Sequence, residues 1–159
     1  MHNRVYFDTN VIIDLFDEAR PFHSYSVNVF QTIFENEEID VFINTDTLTN
    51  LFYILRSHVK LDLDESLQKL QLITQSFSVI SYGMMEIEST LEICKKHIFK
   101  DYEDAMQYMC ALKEDCTLII TNNPKDFKNA SVDVVTSKEL SSIFTTQDKL
   151  EAVDRLKKT

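Results

Sequence analysis

The sequence predicts an α/β protein of three layers, with helices on both faces of a mainly parallel sheet of four or five strands. Short β-type runs alternate with stretches of helical periodicity along the 159 residues, a pattern that builds βαβ units with right-handed crossovers. The run TLIIT at residues 117–121 is almost continuously apolar, as expected of a strand covered on both faces. A chain of this length buries roughly two thirds of its unfolded surface. With 44% apolar residues and no Pro-rich or Gly/Ser-rich stretch, it needs neither disulfide nor structural metal to hold a core.

Residues 4–7 (RVYF) read as the first strand, which ends on Asp8 before the helix opened by VIIDLF. Residues 25–35 place Val29, Ile33 and Phe34 at helical spacing, and 41–44 (VFIN) form a second strand. From Thr47 the residues Leu48, Leu51, Phe52 and Leu55 recur at i, i+3, i+4 and i+7, a helix stripe for which Thr45, Asp46 or Thr47 can serve as cap. Residues 63–77 repeat the pattern through Leu67, Leu70 and Ile73 or Thr74. A third strand at 78–82 closes on Gly83, and helices are expected over 85–97 and 101–113, the latter with Tyr102, Ala105, Met106, Met109 and Leu112 on one face. Residues 132–136 are a weaker fifth strand, followed by a helix from about Lys138. One domain is expected over residues 1–144, with 145–159 a surface helix or frayed tail of it.

Composition excludes several classes. Gly83 is the one glycine, so no glycine-rich phosphate loop exists. The cysteines Cys94, Cys110 and Cys116 lack zinc-ligand spacing and read as buried free thiols of a reducing, cytoplasmic compartment. No segment has the length and apolarity of a membrane span, and the N-terminus lacks the form of a signal peptide. The net charge of −10 argues against a broad basic face for nucleic acid. Three local basic groups occur: Arg56, His58 and Lys60; Lys95, Lys96, His97 and Lys100; Lys125 and Lys128. Each reads as a solvated face or as a rim for phosphates.

In open parallel sheets ligands bind beyond the carboxyl ends of the strands. The polar residues there are Asp8-Thr9-Asn10, Asn44-Thr45-Asp46 and Thr121-Asn122-Asn123. A carboxylate as close to the core as Asp8 must be hydrogen-bonded, metal-bound or protonated; the plainer reading is an N-cap. Asp101 and Asp104 lie three apart at the start of a helix and project from one side, about 60° apart. For Asp101 and Glu103 a role at the helix N-terminus is favoured, whereas Asp104, one step deeper, is the better site candidate. In the loop after the fourth strand, Phe127 would anchor the chain and aim Asp126. Three aspartates suffice to hold Mg²⁺ or Mn²⁺, which prefer oxygen ligands.

The segments FDTNVIIDLF, TDTLTNLFYILR, DYEDAMQ and LIITNNPKDF, in this order and covering nearly the whole chain, resemble the PIN-domain ribonuclease family, which includes the VapC-like toxins of toxin-antitoxin pairs. The resemblance implies a metal-dependent endoribonuclease with Asp8, Asp104 and Asp126 as catalytic, metal-holding acids. Asn10, Asn50, Asp101, Thr121 and Asn123 are its supporting polar groups, Mg²⁺ or Mn²⁺ its cofactor and RNA its substrate; a cognate antitoxin and a homodimer are its candidate protein partners. Two positions depart from the family pattern: Asn50 stands where many members carry Glu, and Asn123 where many carry Asp. These amides leave a second expectation open, a PIN-like module that binds RNA or protein with weak or no catalysis. Asn50 also has a structural reading, as the N3 partner of a Thr47 cap. A phosphoryl-transfer fold with Asp8 as nucleophile fits less well, because Asn10 stands where a second acid is usual.

Overall fold

The computed structural model describes residues 3–145. In chain order the elements are β1 (Asn3–Phe7), α1 (Thr9–Phe16), α2 (His23–Phe34), β2 (Ile39–Asn44), α3 (Thr45–Ser57), α4 (Leu63–Ser76), β3 (Ser78–Ile80), α5 (Met84–Lys95), α6 (Tyr102–Lys113), β4 (Leu118–Ile120), a 3-10 turn (Pro124–Phe127) and β5 (Asp133–Val135). Residues 137–145 are helical and are called α7. The five strands are all parallel, in the order β3-β2-β1-β4-β5. Val5 pairs with Val41 on one side and with Leu118 on the other, which places β1 in the middle.

The period of two along each strand sorts the core into two halves. Val5 and Phe7 of β1, Val41 and Ile43 of β2 and Ile120 of β4 face a cluster completed by Val11, Ile12, Val29, Ile33, Leu51, Leu55 and Ile73 from α1 to α4. Tyr6, Phe42 and Ile119 face the other way, onto Ala105, Met106, Cys110 and Ala111 of α6 and onto Phe127. The chain thus winds outward from β1 to β3 with helices on one face, then returns with α5 and α6 on the other to start β4 beside β1. The order reverses between β1 and β4, the switch point at which two strand ends diverge and leave a crevice.

Several sequence expectations shift. The cap of α3 is Asn44, whose side chain accepts the Thr47 N–H at 3.2 Å; Thr45, Asp46 and Thr47 instead form the first turn. Helix α6 is buried over a wider arc than its apolar stripe implied: Gln107, Tyr108, Cys110 and Ala111 are buried, whereas Tyr102 is exposed. Leu67 is exposed and the α4 contact falls to Ser66 and Ile73. Strand β3 stops at Ile80 rather than reaching Tyr82. Cys110 and Cys116 are buried free thiols, while Cys94 is partly exposed. The expected surface helix or tail over 145–159 lies outside the described residues from 146 on. Among the described residues no helix is long and apolar enough to cross a membrane.

Candidate active site

Asp8 sits where β1 gives way to α1, and its N–H donates to the Ile120 carbonyl at 2.9 Å, extending the β1–β4 ladder to the switch point. Its side chain makes no capping hydrogen bond to α1. The carboxylate is 3% exposed and accepts one side-chain donor on each oxygen: Thr121 Oγ1 donates to Oδ2 at 2.6 Å and Gln107 Nε2 to Oδ1 at 2.8 Å. Both donors are held in place. The Gln107 Oε1 accepts the Thr9 N–H at 2.9 Å, so the amide can only present its NH₂ to Asp8. The Thr121 hydroxyl accepts the Asn123 N–H at 3.0 Å, leaving its own proton for Asp8. Burial pushes the Asp8 pKa up, and the bonds from Thr121 and Gln107 act against that rise.

Helix α6 brings the other acids. Asp101 is its N-cap, accepting the Asp104 N–H at 3.1 Å. Asp104 is half-buried and its carboxylate accepts no hydrogen bond among the described residues. Burial, then the charges of Asp8, Asp101, Asp126 and Glu103, raise its pKa from 3.8 to about 7. Glu103 does more than complement the helix terminus: it accepts the Asn50 Nδ2 at 2.7 Å. Burial raises the Glu103 pKa, the Asn50 bond opposes this, and the charges of Asp8 and Asp101 add to the rise. Asn50 therefore does not serve a Thr47 cap but reaches across from α3 to α6.

A cleft of about 320 Å³ gathers Asp8, Asn10, Asn50, Glu103, Asp104 and Gln107. Asp104 also lines an adjoining pocket with Asp101 and Asp126. Asp126 is exposed on the 3-10 turn, which the buried Phe127 anchors, and it accepts a hydrogen bond from Asn123 Nδ2. Asn10 Oδ1 accepts the Asn122 N–H at 3.2 Å, tying α1 to the loop after β4. Below this loop Asn122 donates to the buried Asp14, which also pairs with Arg20.

The acids are strung along the two pockets rather than closed into a cage. Among the described residues no three carboxylate, imidazole or thiol groups converge closely enough to ligate one ion unaided. The donor set nonetheless fits a hard divalent cation that keeps much of its water, since such ions are often held by one or two carboxylates. None of Asp8, Asp101, Glu103, Asp104 and Asp126 is in an ion pair among the described residues. Gln107 has no place among the sequence expectations, and Glu103 is there only as a charge at the helix terminus. The signal for Gln107 was a lone amide inside the otherwise apolar AMQYMCAL; the Asn50–Glu103 bond has no local signal, since its partners are 53 residues apart.

A doubly wound parallel sheet with an acidic cleft at its switch point defines a class of α/β protein built to handle cations or phosphates at the strand ends. Residues 4–125 match the PIN domain family, and the chain belongs to it. It is 33% identical over 144 residues to Ribonuclease VapC1 of Aquifex aeolicus, covering 90% of this chain and 96% of that protein. Its fold is similar to that of VapBC-1 from nontypeable Haemophilus influenzae, with a TM-score of 0.64 at 16% identity over 85% of this chain and 98% of that one. It is also similar to VapBC2 from Rickettsia felis bound to a DNA fragment from the promoter, with a TM-score of 0.62 at 18% identity over 84% of this chain and 98% of that one.

Proposed function

We propose that the protein is a Mg²⁺- or Mn²⁺-dependent endoribonuclease of the cytoplasm and the toxin of a toxin-antitoxin pair. Its partners on this reading are single-stranded or structured RNA, a cognate antitoxin and a second copy of itself. The observation that carries the reading is Asp104, raised to about 7 by burial and by the charges of Asp8, Asp101, Asp126 and Glu103, with no basic side chain among the described residues paired to any of them. Such excess charge suits a site completed by a cation. The likeness to Ribonuclease VapC1 supports the reaction class, and VapBC complexes among the proteins of similar fold support an antitoxin.

Asp8, Asp104 and Asp126 would hold the ion, one or two of them directly and the others through its water shell. A bound divalent ion would lower the pKa of a coordinated water and offset charge on the phosphoryl oxygens. The two best-defined acids then divide the work by environment. Asp8, with a fixed donor on each oxygen, is kept as an acceptor and suits cation binding. Asp104, with no donor among the described residues, is the group suited to exchange a proton with the attacking water or the leaving oxygen.

Single-turnover cleavage of a mixed RNA pool in Mn²⁺ and in EDTA tests the reading. Wild type is expected to cleave only with metal, and Asp8→Asn not at all; equal cleavage by Asp8→Asn would remove the site assignment. The amides Asn50 and Asn123 favour one rival, a module that binds without chemistry. Metal-independent binding with no cleavage by wild type would select it. For the partner, a short reading frame adjacent to the gene, whose product co-purifies with this chain, is the expected result.

A further inference from the structure

Beyond the acids, the second pocket has a composition that the proposed chemistry does not use. It has a volume of about 350 Å³, and beside Asp101, Asp104 and Asp126 it is lined by His97, Lys100, Lys125 and Lys128. Two basic groups that lie apart in the sequence, one between α5 and α6 and one after β4, meet here. Lys100, Lys125 and Lys128 are exposed, and none forms an ion pair or hydrogen bond among the described residues. Three unpaired ammonium groups on a chain of charge −10 are thus gathered beside Asp101, Asp104 and Asp126 in one pocket.

The wall is also built to stay in place. Helix α5 ends in a Schellman motif: His97 is left-handed at φ 56°, its N–H donates to the Cys94 carbonyl at 3.0 Å, and the Ile98 N–H donates to the Ile93 carbonyl at 3.0 Å. Asn129 Nδ2 donates to the Ile98 carbonyl at 2.6 Å, clipping the loop after β4 to the loop after α5. Beneath the lysines, Phe99 stacks on Tyr108 at 5.0 Å and meets Phe127 edge-on at 6.1 Å. The lysine-bearing segments therefore share one buried aromatic floor.

We propose that this pocket is a phosphate subsite for the RNA backbone next to the scissile bond, with Lys100, Lys125 and Lys128 as its cationic contacts. It rests on the ribonuclease reading and adds the path of the strand. The scissile phosphate lies over Asp8 and Asp104, and a neighbouring phosphate of the same strand lies among the lysines, with Asp104 at the boundary of the two pockets. Lysines act on phosphate as point charges without base readout, so the subsite supplies affinity and register but not sequence preference. A local cluster of cations is how so acidic a chain can hold a polyanion beside its carboxylates.

The test compares wild type with the triple variant Lys100→Gln/Lys125→Gln/Lys128→Gln, using a 5′-fluorescein-labelled single-stranded RNA 12-mer of mixed sequence between 50 and 200 mM salt. Cleavage in Mn²⁺ and binding by fluorescence anisotropy in EDTA are both read. Each phosphate contact to a single strand contributes about 0.7 to the slope of log affinity on log salt, so the triple variant should flatten that slope by about 2 and weaken affinity at least tenfold or so. The double variant Lys69→Gln/Lys138→Gln, whose lysines lie over Phe16 and Tyr25 away from the pocket, should match wild type. If wild type cleaves and the triple variant keeps the same kcat/KM and salt slope, the subsite is refuted while the ribonuclease reading stands. If wild type never cleaves, the ribonuclease reading falls and anisotropy decides the subsite: binding lost in the triple variant supports it, binding unchanged overturns it.

Discussion

Replacing Asp104 by Asn should stabilise the metal-free protein, by an amount that depends on pH in a defined direction. The Asp104 carboxyl titrates at about 7 when folded against 3.8 otherwise. Below pH 4 it is protonated in both states and contributes nothing. As pH rises from 4 through 7 the unfolded chain releases the proton while the folded chain retains it, so folding is progressively disfavoured. At full value the penalty above pH 7 is about 4 kcal/mol. Solvent at this half-exposed group and proton sharing among the coupled acids reduce it to about 1–2 kcal/mol. Asn has the same shape, and among the described residues no hydrogen bond to the Asp104 carboxylate is lost. In EDTA at pH 8 Asp104→Asn should therefore melt roughly 3 to 6 °C above wild type, and the two should melt together near pH 4. Millimolar Mn²⁺ should reverse the order, because an ion that binds only the folded wild type stabilises it by mass action. Scanning calorimetry at the two pH values, with and without Mn²⁺, measures all of this. A variant that melts below wild type by the same margin at both pH values would show that Asp104 is stabilised by its neighbours, and the electrostatic account of the cleft would fail.

Three further outcomes are expected. Gln107→Leu leaves the Thr9 N–H and Asp8 Oδ1 without their partner, which should cost about 2–4 kcal/mol in urea unfolding and abolish cleavage; a cost under about 0.5 kcal/mol would mean water replaces the amide. Phe127→Ala empties a site that is 1% exposed, with an expected loss of about 3–5 kcal/mol and faster amide exchange in the 3-10 turn that carries Asp126. Asp14→Ala removes the acceptor of Arg20 and Asn122, costing about 1–3 kcal/mol, since the Arg20 guanidinium left behind can be hydrated; its melting curve should fall accordingly, and an unchanged curve would show that the pair contributes nothing.

The parts of this molecule that were readable in the sequence are those set by local pattern. Strand ends followed by Asp8 and Thr121, and an acid pair opening α6, are visible because apolar runs and their polar terminators are contiguous. The α3 cap was misplaced by one residue or more because Asn44, Thr45, Asp46 and Thr47 are all competent caps, and only the backbone decides which stands outside the helix. Gln107 was hidden for the opposite reason: helical spacing assigns it to the flank of an apolar stripe, yet α6 is covered over a wider arc, so an amide there must find buried partners. The Asn50–Glu103 bond and the meeting of Lys100 with Lys125 and Lys128 depend on topology. The return of the chain across the second face, after β3, is what carries α6 and its preceding loop to the side of β4.

Helix α6 is the element on which the geometry of the site depends. Glu103, Gln107 and Cys110 follow one another at spacings of four and three, which on a helix makes a single line. That line lies over the strand ends: Glu103 meets Asn50, Gln107 meets Asp8 and Thr9, and Cys110 Sγ lies 3.8 Å from the Asn44 amide. Asn44 in turn caps α3, and Thr47 joins the Thr9 hydroxyl at 2.9 Å, so β1, β2, α3 and α6 are bonded to one another through buried polar groups. A slip of α6 by one residue would set Met106 or Tyr108 against Asp8 and leave its Oδ1 without a donor in a site with almost no access to water. The register of one helix on the sheet thereby fixes the orientation of Asp8, the distance at which Asp104 feels its charge, and the position of the loop that carries Lys100.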